Sequence, residues 1–152
     1  MDIQKTDPEF AERFCHFAFD EIVNEEGQQL PAQTRCLAVL ATLIGCGGTD
    51  AYTEMLPQAM GNGVSPVMVK ECVYQAVDYL GYGRMLPFLK ATNTVFEQRG
   101  IGQPLPPQTT TTMEDRLEKG IAAQATIFGA GMNEAWKKSH INRWLADNCF
   151  GD

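Results

Sequence analysis

Apolar residues recur every three or four positions along most of the chain, and no stretch alternates between apolar and polar residues. This spacing places apolar side chains on one face of a helix. The first such face follows Asp7-Pro8-Glu9, a typical helix start, and it ends at Gly27. Its apolar members are Phe10, Phe14, Phe17, Ala18 and Ile22. The pattern predicts an all-α protein.

Proline, glycine and capping residues divide the rest of the chain into further helices. The predicted helix starts are Pro31, Asp50, Ser65-Pro66, a segment before Phe88, a capping box of Thr111 with Glu114, and Ser139. The predicted ends contain glycine and lie at residues 45–48, 61–63, 81–83, 100 and 129–131. Pro57 lies inside the third helix and predicts a kink there. We therefore expect a bundle of about seven helices.

The composition changes between the fifth and sixth predicted helices. Residues 101–112 consist mainly of Gly, Gln, Pro and Thr, which favour neither helix nor sheet. We therefore expect a helical core at residues 1–100, a linker at 101–112 and a C-terminal helical pair at 113–152.

Charge and hydropathy exclude several classes of protein. The 152-residue chain has a net charge of −7 and no run of Lys and Arg, which argues against a nucleic-acid partner. Its longest apolar stretch, residues 36–44, is about half the length that spans a bilayer. The first ten residues contain acids and a proline rather than a signal peptide. We expect a soluble, cytoplasmic protein without a membrane partner.

The cysteines and histidines form no recognisable metal or catalytic motif. The five cysteines include no Cys-x-x-Cys, and His16 and His140 lie far apart without a carboxylate at fixed spacing. No nucleotide or flavin motif is present. The sequence therefore predicts reduced thiols, no metal and no cofactor.

Three stretches resemble the carboxymuconolactone decarboxylase family, which also contains the alkylhydroperoxidase D-like antioxidant proteins. They are Phe19-Asp20-Glu21-Ile22 with Gly27 to Thr34-Arg35, Leu56-Pro57-Gln58-Ala59-Met60 with Gly63-Val64-Ser65, and Lys70-Glu71 through Gln75 and Tyr79 to Gly81. The resemblance implies the alkylhydroperoxidase D-like helical fold in an oligomer. It also implies decarboxylation of a small lactone or carboxylic acid without a cofactor.

The C-terminal segment resembles the helices that precede this core in longer members of the family. Its Ile141, Leu145 and Phe150 repeat the spacing of Phe10, Phe14 and Phe19. We expect either a natural half-length form of the double-copy proteins or a truncated one. The apolar residues of this segment lack an obvious partner in sequence, so we expect a homo-oligomer, whether dimer, trimer or hexamer, with the tail crossing between subunits.

The chain departs from the thiol-active members of the family. Cys36 stands where they have a glutamate after the arginine of the core helix, and Gly48, Ala51 and Met55 stand where they have the two thiols and the histidine. Cys36 and Cys46 would lie about 15 Å apart along a continuous helix, which is too far for a disulfide. A dithiol peroxidase mechanism is therefore disfavoured.

Candidate chemistry rests on a few polar side chains. Glu71, Gln75 and Tyr79 recur every four residues, so a carboxylate, an amide and a phenol are expected on one helix face. We expect Glu71 to act as acid or base and the other two as hydrogen-bond partners. The expected carboxylate-binding cations are Arg84 and Arg35.

Cys46 and Tyr52 flank the glycine break, where the reactive thiols of the family would approach, and are expected to line the same cavity. Purely structural roles are the alternative to these functional ones. Glu71 would then face solvent, Tyr79 would be packed, and the two arginines would form structural ion pairs.

Three functions remain open from the sequence. The first is a lyase of the carboxymuconolactone decarboxylase family acting on a small molecule. The second is an alkylhydroperoxidase-type, peroxiredoxin-like antioxidant that uses Cys46 or Cys36 as a single reactive thiol. The third is a non-catalytic oligomeric binding protein.

Overall fold

A computed structural model describes residues 3–27 and 29–151 of the chain. Within these ranges every regular element is a helix, which confirms the all-α prediction. No described helix has the length and apolar character needed to cross a membrane.

The N-terminal segment forms four short consecutive helical elements. They are α1 (Ile3–Thr6), α2 (Pro8–His16), a π-helical segment (Phe17–Glu21) and α3 (Ile22–Asn24). The predicted helix start at Asp7-Pro8 is confirmed. The predicted apolar face, however, packs only in part on itself, with the Phe10 and Phe14 rings stacked 5.9 Å apart. Phe10 remains 62% exposed and Phe17 54% exposed.

The central part of the chain is a bundle of four helices. They are α4 (Ala32–Gly45), α5 (Thr49–Gly61), α6 (Pro66–Leu80) and α7 (Tyr82–Gln98). Helix α4 packs against α5 and α6, and α7 packs against the same two helices from the other side. The largest side chains buried between them are Leu40, Tyr52, Leu56, Phe88 and Phe96.

Several boundaries of these helices differ from the sequence prediction. Gly48, rather than Asp50, is the N-cap of α5. Asp50 lies in the first turn, where its negative charge interacts favourably with the helix dipole. Pro57 lies inside α5 without ending it. Only Gly81, with φ of 76°, separates α6 from α7, because its left-handed conformation is sufficient for the turn. Helix α7 therefore begins at Tyr82.

The segment between α7 and the C-terminal helices runs without regular structure from Arg99 to Asp115. Gln103 donates a hydrogen bond to the carbonyl oxygen of Asn93 at 3.4 Å, and Leu105 packs against the core. This holds the proline-rich segment close to α6 and α7. The predicted capping box occurs one residue later, since the backbone N–H of Thr112 donates to Asp115 at 2.6 Å and that of Asp115 donates to the Thr112 hydroxyl at 3.3 Å.

The C-terminal segment contains α8 (Arg116–Phe128), α9 (Met132–Lys138) and α10 (His140–Asn148), which pack against one another. Helix α9 was not predicted, whereas the start of α10 at Ser139 is confirmed. Gly120 permits the closest approach, because a Cβ atom there would lie 1.7 Å from the carbonyl oxygen of Ala146. Phe128 and Ile141 remain 62% and 64% exposed.

Candidate functional site

A cavity of about 770 Å³ lies between α6, the proline-rich segment at residues 103–109 and the end of α10. We refer to it as the α6 cavity. Its volume falls within the range of small-molecule sites. The charged, thiol, phenol and amide groups contributed by α6 and by the C-terminal end of α10 with its C-cap belong to Lys70, Glu71, Tyr74, Gln75, Asp78, Asn148 and Cys149.

The sequence of α6 explains why these groups share one side of the helix. Ser65 caps α6 by accepting a hydrogen bond from the backbone N–H of Met68 at 3.2 Å, as predicted. Val69 and Val73 are fully buried in the bundle. The side of α6 that faces the proline-rich segment then carries Lys70, Glu71, Tyr74, Gln75 and Asp78, which recur every three or four positions.

Glu71 and Gln75 are brought together in the α6 cavity, as their four-residue spacing predicts. Glu71 is half-buried, and no described residue forms a hydrogen bond or ion pair with its carboxylate. A carboxylate without a protein partner is available to a bound molecule. The cavity therefore offers a proton-transfer group beside an amide.

Tyr79 does not join them, which corrects the expected convergence of three groups. Its side chain is 81% exposed and lies outside the cavity lining. Eight residues at 3.6 per turn rotate Tyr79 by about 80° from Glu71. The proline-rich wall extends along α6 only as far as Asp78, so the phenol remains in solvent.

Lys70 is a cavity residue that the sequence analysis missed. Only 7% of it is exposed, and its ammonium donates a hydrogen bond to Oδ1 of Asn93. Its Nζ lies 5.8 Å from the ring centroids of Tyr74 and Phe96. Burial lowers the pKa of Lys70, because the charged form loses its water. The signal in the sequence is a lysine next to Val69 on the buried stripe of a helix.

Cys149 contributes a thiol to the far wall of the α6 cavity. Burial, and then the carboxylate of Asp78, raise the pKa of Cys149 to about 11. The thiol therefore stays protonated at neutral pH, and a thiolate nucleophile is not expected here.

A second cavity, of about 280 Å³, lies between the end of α4 and the start of α7. We refer to it as the Cys46 cavity. Cys46 and Arg84 both line it, together with Thr49 and the ring of Phe88. The Cys46 thiol is exposed and donates a hydrogen bond to the carbonyl oxygen of Leu43 at 3.5 Å. The structure thus separates Arg84 from Glu71.

Tyr52 lies outside the lining of the Cys46 cavity, contrary to expectation. Its side chain is fully buried, and its hydroxyl shares a 2.7 Å hydrogen bond with Thr92. Its ring packs edge-on against Phe88, with 5.3 Å between the centroids. Burial, partly offset by the Thr92 hydrogen bond, raises the pKa of Tyr52 to about 12. Tyr52 links α5 to α7 inside the bundle rather than facing a ligand.

Arg35 lies half-buried on α4 and lines neither cavity. Cys36, the next residue, is buried in the core. The described cysteines are all free, and Cys36 and Cys46 occupy opposite ends of α4.

A family model described as "Carboxymuconolactone decarboxylase family" matches residues 8–94, more than half of the 152-residue chain. The protein belongs to the carboxymuconolactone decarboxylase family. This confirms the resemblance seen in the sequence. Searches of curated proteins and of solved structures return no significant match.

The match to the carboxymuconolactone decarboxylase family runs from the start of α2 into α7. It includes α6 with Lys70, Glu71 and Gln75. The proline-rich wall and α10 lie beyond it. The α6 cavity therefore combines a helix of the family region with a cover from residues outside that region.

The described residues contain no cluster of three or more His, Cys, Asp and Glu side chains that could hold a metal ion. Helix α5 contains neither a cysteine nor a histidine. The α6 cavity therefore offers carboxylates, amides, a phenol, an amine and a protonated thiol, and the Cys46 cavity offers a thiol and a guanidinium.

Proposed function

We propose that this protein is a cofactor-free lyase that decarboxylates a small lactone or carboxylic acid in the α6 cavity. The observation that carries the proposal is that Glu71, whose carboxylate bonds to no described residue, shares one cavity with the Gln75 amide. Membership of the carboxymuconolactone decarboxylase family supports it.

The roles of the side chains follow from the reaction. Decarboxylation breaks the bond to the carboxyl carbon, leaves the electron pair on the neighbouring carbon and releases CO2. That carbon then needs a proton, which Glu71 delivers as general acid. Gln75 orients the substrate by hydrogen bonding to its oxygen atoms.

The sequence analysis assigned the substrate carboxylate to Arg84 or Arg35. Neither residue lines the α6 cavity, so neither has this role in the proposal. Among the described lining residues, Lys70 is the basic side chain, and most of it is buried.

The test measures CO2 release from a panel of small lactones and carboxylic acids. We expect turnover of at least one of them by the wild-type protein, and loss of that turnover in Glu71→Gln. A thermal-shift screen with the same compounds measures binding separately. Absence of turnover across the panel, or unchanged turnover in Glu71→Gln, would contradict the proposal.

A second candidate function is that of an alkylhydroperoxidase-type antioxidant with a single thiol. The observation that favours it is the exposed Cys46 thiol, which shares a cavity with the Arg84 guanidinium. Peroxide would oxidise the Cys46 thiolate to a sulfenic acid and be reduced to water or an alcohol. A cytoplasmic location suits such a reduced thiol. Thiol labelling at neutral pH tests it, with rapid labelling at Cys46 expected.

A third candidate function is a non-catalytic binding protein that works as a homo-oligomer. It is supported by the apolar side chains left exposed on α2, the π-helical segment and α10, such as Phe10, Phe17 and Ile141. We propose a dimer, trimer or hexamer in which these faces are covered by other subunits. Light scattering of the dilute protein tests the assembly, and a stable monomer of 16.8 kDa would contradict it.

A further inference from the structure

The environment of Lys70 is unusual for a lysine. It is 7% exposed, yet it lines the α6 cavity, so its side chain is sheltered by protein on most sides while part of it faces the cavity. No carboxylate of residues 3–27 and 29–151 forms an ion pair with it. Its amine contacts the neutral Asn93 amide and the rings of Tyr74 and Phe96.

Resting on the lyase function proposed above, we propose that Lys70 is an amine nucleophile that forms an imine with a small 3-oxo acid in the α6 cavity. The substrate class follows from the chemistry. An imine assists loss of CO2 only when the carboxylate lies on the carbon next to the imine carbon.

Opposing effects act on the charge of the Lys70 amine. The carboxylates of Glu71 and Asp78 in the same cavity and the hydrogen bond to Asn93 favour the ammonium form. The two rings favour the ammonium form, but at 5.8 Å they lie near the limit of about 6 Å for cation–π attraction. Loss of water favours the neutral form and lowers the pKa of Lys70. Burial therefore dominates and increases the fraction of neutral amine, which is the nucleophilic form.

The reaction needs the Lys70 amine, Glu71, water and one proton from solvent in each cycle. The Lys70 amine adds to the ketone carbon, and water leaves as the protonated imine forms. The bond to the carboxylate then breaks, its electron pair moves toward the imine nitrogen to give an enamine, and CO2 leaves. Glu71 protonates the enamine carbon. Water finally hydrolyses the protonated imine, which releases the ketone and the Lys70 amine and returns the proton taken up when the imine formed. One further proton enters from solvent in each cycle and replaces the proton that Glu71 gave to the carbon, and no cofactor is consumed.

Borohydride trapping tests this proposal directly. The wild-type protein is mixed with acetoacetate, reduced with sodium borohydride, digested and mapped by mass spectrometry. We expect a stable alkyl adduct at Lys70 and little at Lys90, an exposed lysine on α7 that serves as the matched control. An unmodified Lys70, or an adduct spread equally over the exposed lysines, would overturn the proposal.

Variants separate the imine from the overall reaction. Lys70→Met should abolish the adduct and Lys90→Met should retain it. Glu71→Gln should retain the adduct while losing turnover, because the amine is still present. Should Lys70→Met fail to fold, the peptide map of the wild-type protein still decides the question.

The two proposals can fail separately. If Lys70→Met still releases CO2 and the wild-type protein forms no adduct, imine formation at Lys70 is refuted and the lyase function remains intact. An adduct at Lys70 without CO2 release would refute the lyase function and leave Lys70 as a carbonyl-reactive amine.

Discussion

The α6 cavity and the Cys46 cavity differ in volume, about 770 against 280 Å³, and in the groups that line them. The first holds a carboxylate, an amide and a buried amine under a proline-rich wall. The second holds one exposed thiol and one guanidinium next to the glycine break after α4. Groups suited to proton transfer therefore gather at α6, whereas α5 contains no cysteine for dithiol chemistry.

The largest effect is expected from Glu71→Gln, which keeps the shape of the side chain and removes its proton. A general acid contributes about 100-fold or more to a rate. We therefore expect decarboxylase kcat to fall by at least about 100-fold, with the free energy of unfolding unchanged. Glu97→Gln, an exposed carboxylate on α7, is the control. Equal kinetics for the two variants would place Glu71 among ordinary surface residues.

The Tyr52→Phe variant tests whether Tyr52 is a packed core residue rather than a ligand-binding one. The folded pKa of Tyr52 is about 12 against an ordinary 10.0, so the folded state keeps a proton that the unfolded state loses. The contribution of Tyr52 to stability is complete below pH 10 and falls by about 2 kcal/mol as the pH rises to 12.

Denaturant unfolding between pH 9 and pH 12 should therefore show a smaller alkaline loss in Tyr52→Phe than in the wild-type protein. Other groups titrate equally in both proteins and cancel in the difference. At neutral pH we expect a cost of about 1 kcal/mol, since the Thr92 hydroxyl loses its partner. Tyr79→Phe, an exposed tyrosine, should change neither quantity. Parallel curves for Tyr52→Phe and the wild-type protein would contradict the buried role.

Gln75→Ala should have a smaller effect on turnover than Glu71→Gln. A neutral hydrogen bond contributes about 1 kcal/mol, which corresponds to about a fivefold loss in kcat/KM. Steady-state kinetics on the best substrate of the panel measures it. Arg84→Ala, in the other cavity, should leave the same ratio unchanged, and a larger loss in Arg84→Ala than in Gln75→Ala would reverse the assignment of the site.

The smallest effect is expected from Cys46→Ala. The Cys46 cavity offers no second thiol among its lining residues, so no resolving partner is within reach. We expect decarboxylase turnover and stability to remain as in the wild-type protein. If the folded variant instead loses peroxide consumption that the wild-type protein has, the single-thiol antioxidant becomes the better interpretation.

Much of the helical architecture could be predicted because local signals determine it. Ser65 and Ser139 both cap helices as their sequence context predicts. One error occurs where the sequence offers two alternative capping pairs for the same helix. Thr112 with Asp115 replaces Thr111 with Glu114 as the capping pair, and the run of threonines offers both registers.

The site was harder to predict because it depends on what covers each helix. Spacing alone correctly grouped Glu71 with Gln75, but it could not show that the proline-rich segment stops short of Tyr79. Lys70 was missed because its neighbours Asn93 and Phe96 lie more than twenty positions away in sequence. Tyr52 was assigned to a cavity because the glycine break lies nearby, whereas Thr92 and Phe88 hold it inside the bundle.

The most direct test of the account is a crystal structure of Glu71→Gln bound to the substrate that the wild-type protein decarboxylates best. The variant should bind this substrate without turning it over. We predict the ligand in the α6 cavity, with its reacting carbon next to residue 71 and its oxygen atoms next to Gln75. A ligand bound instead between Cys46 and Arg84, with the α6 cavity empty, would contradict the account.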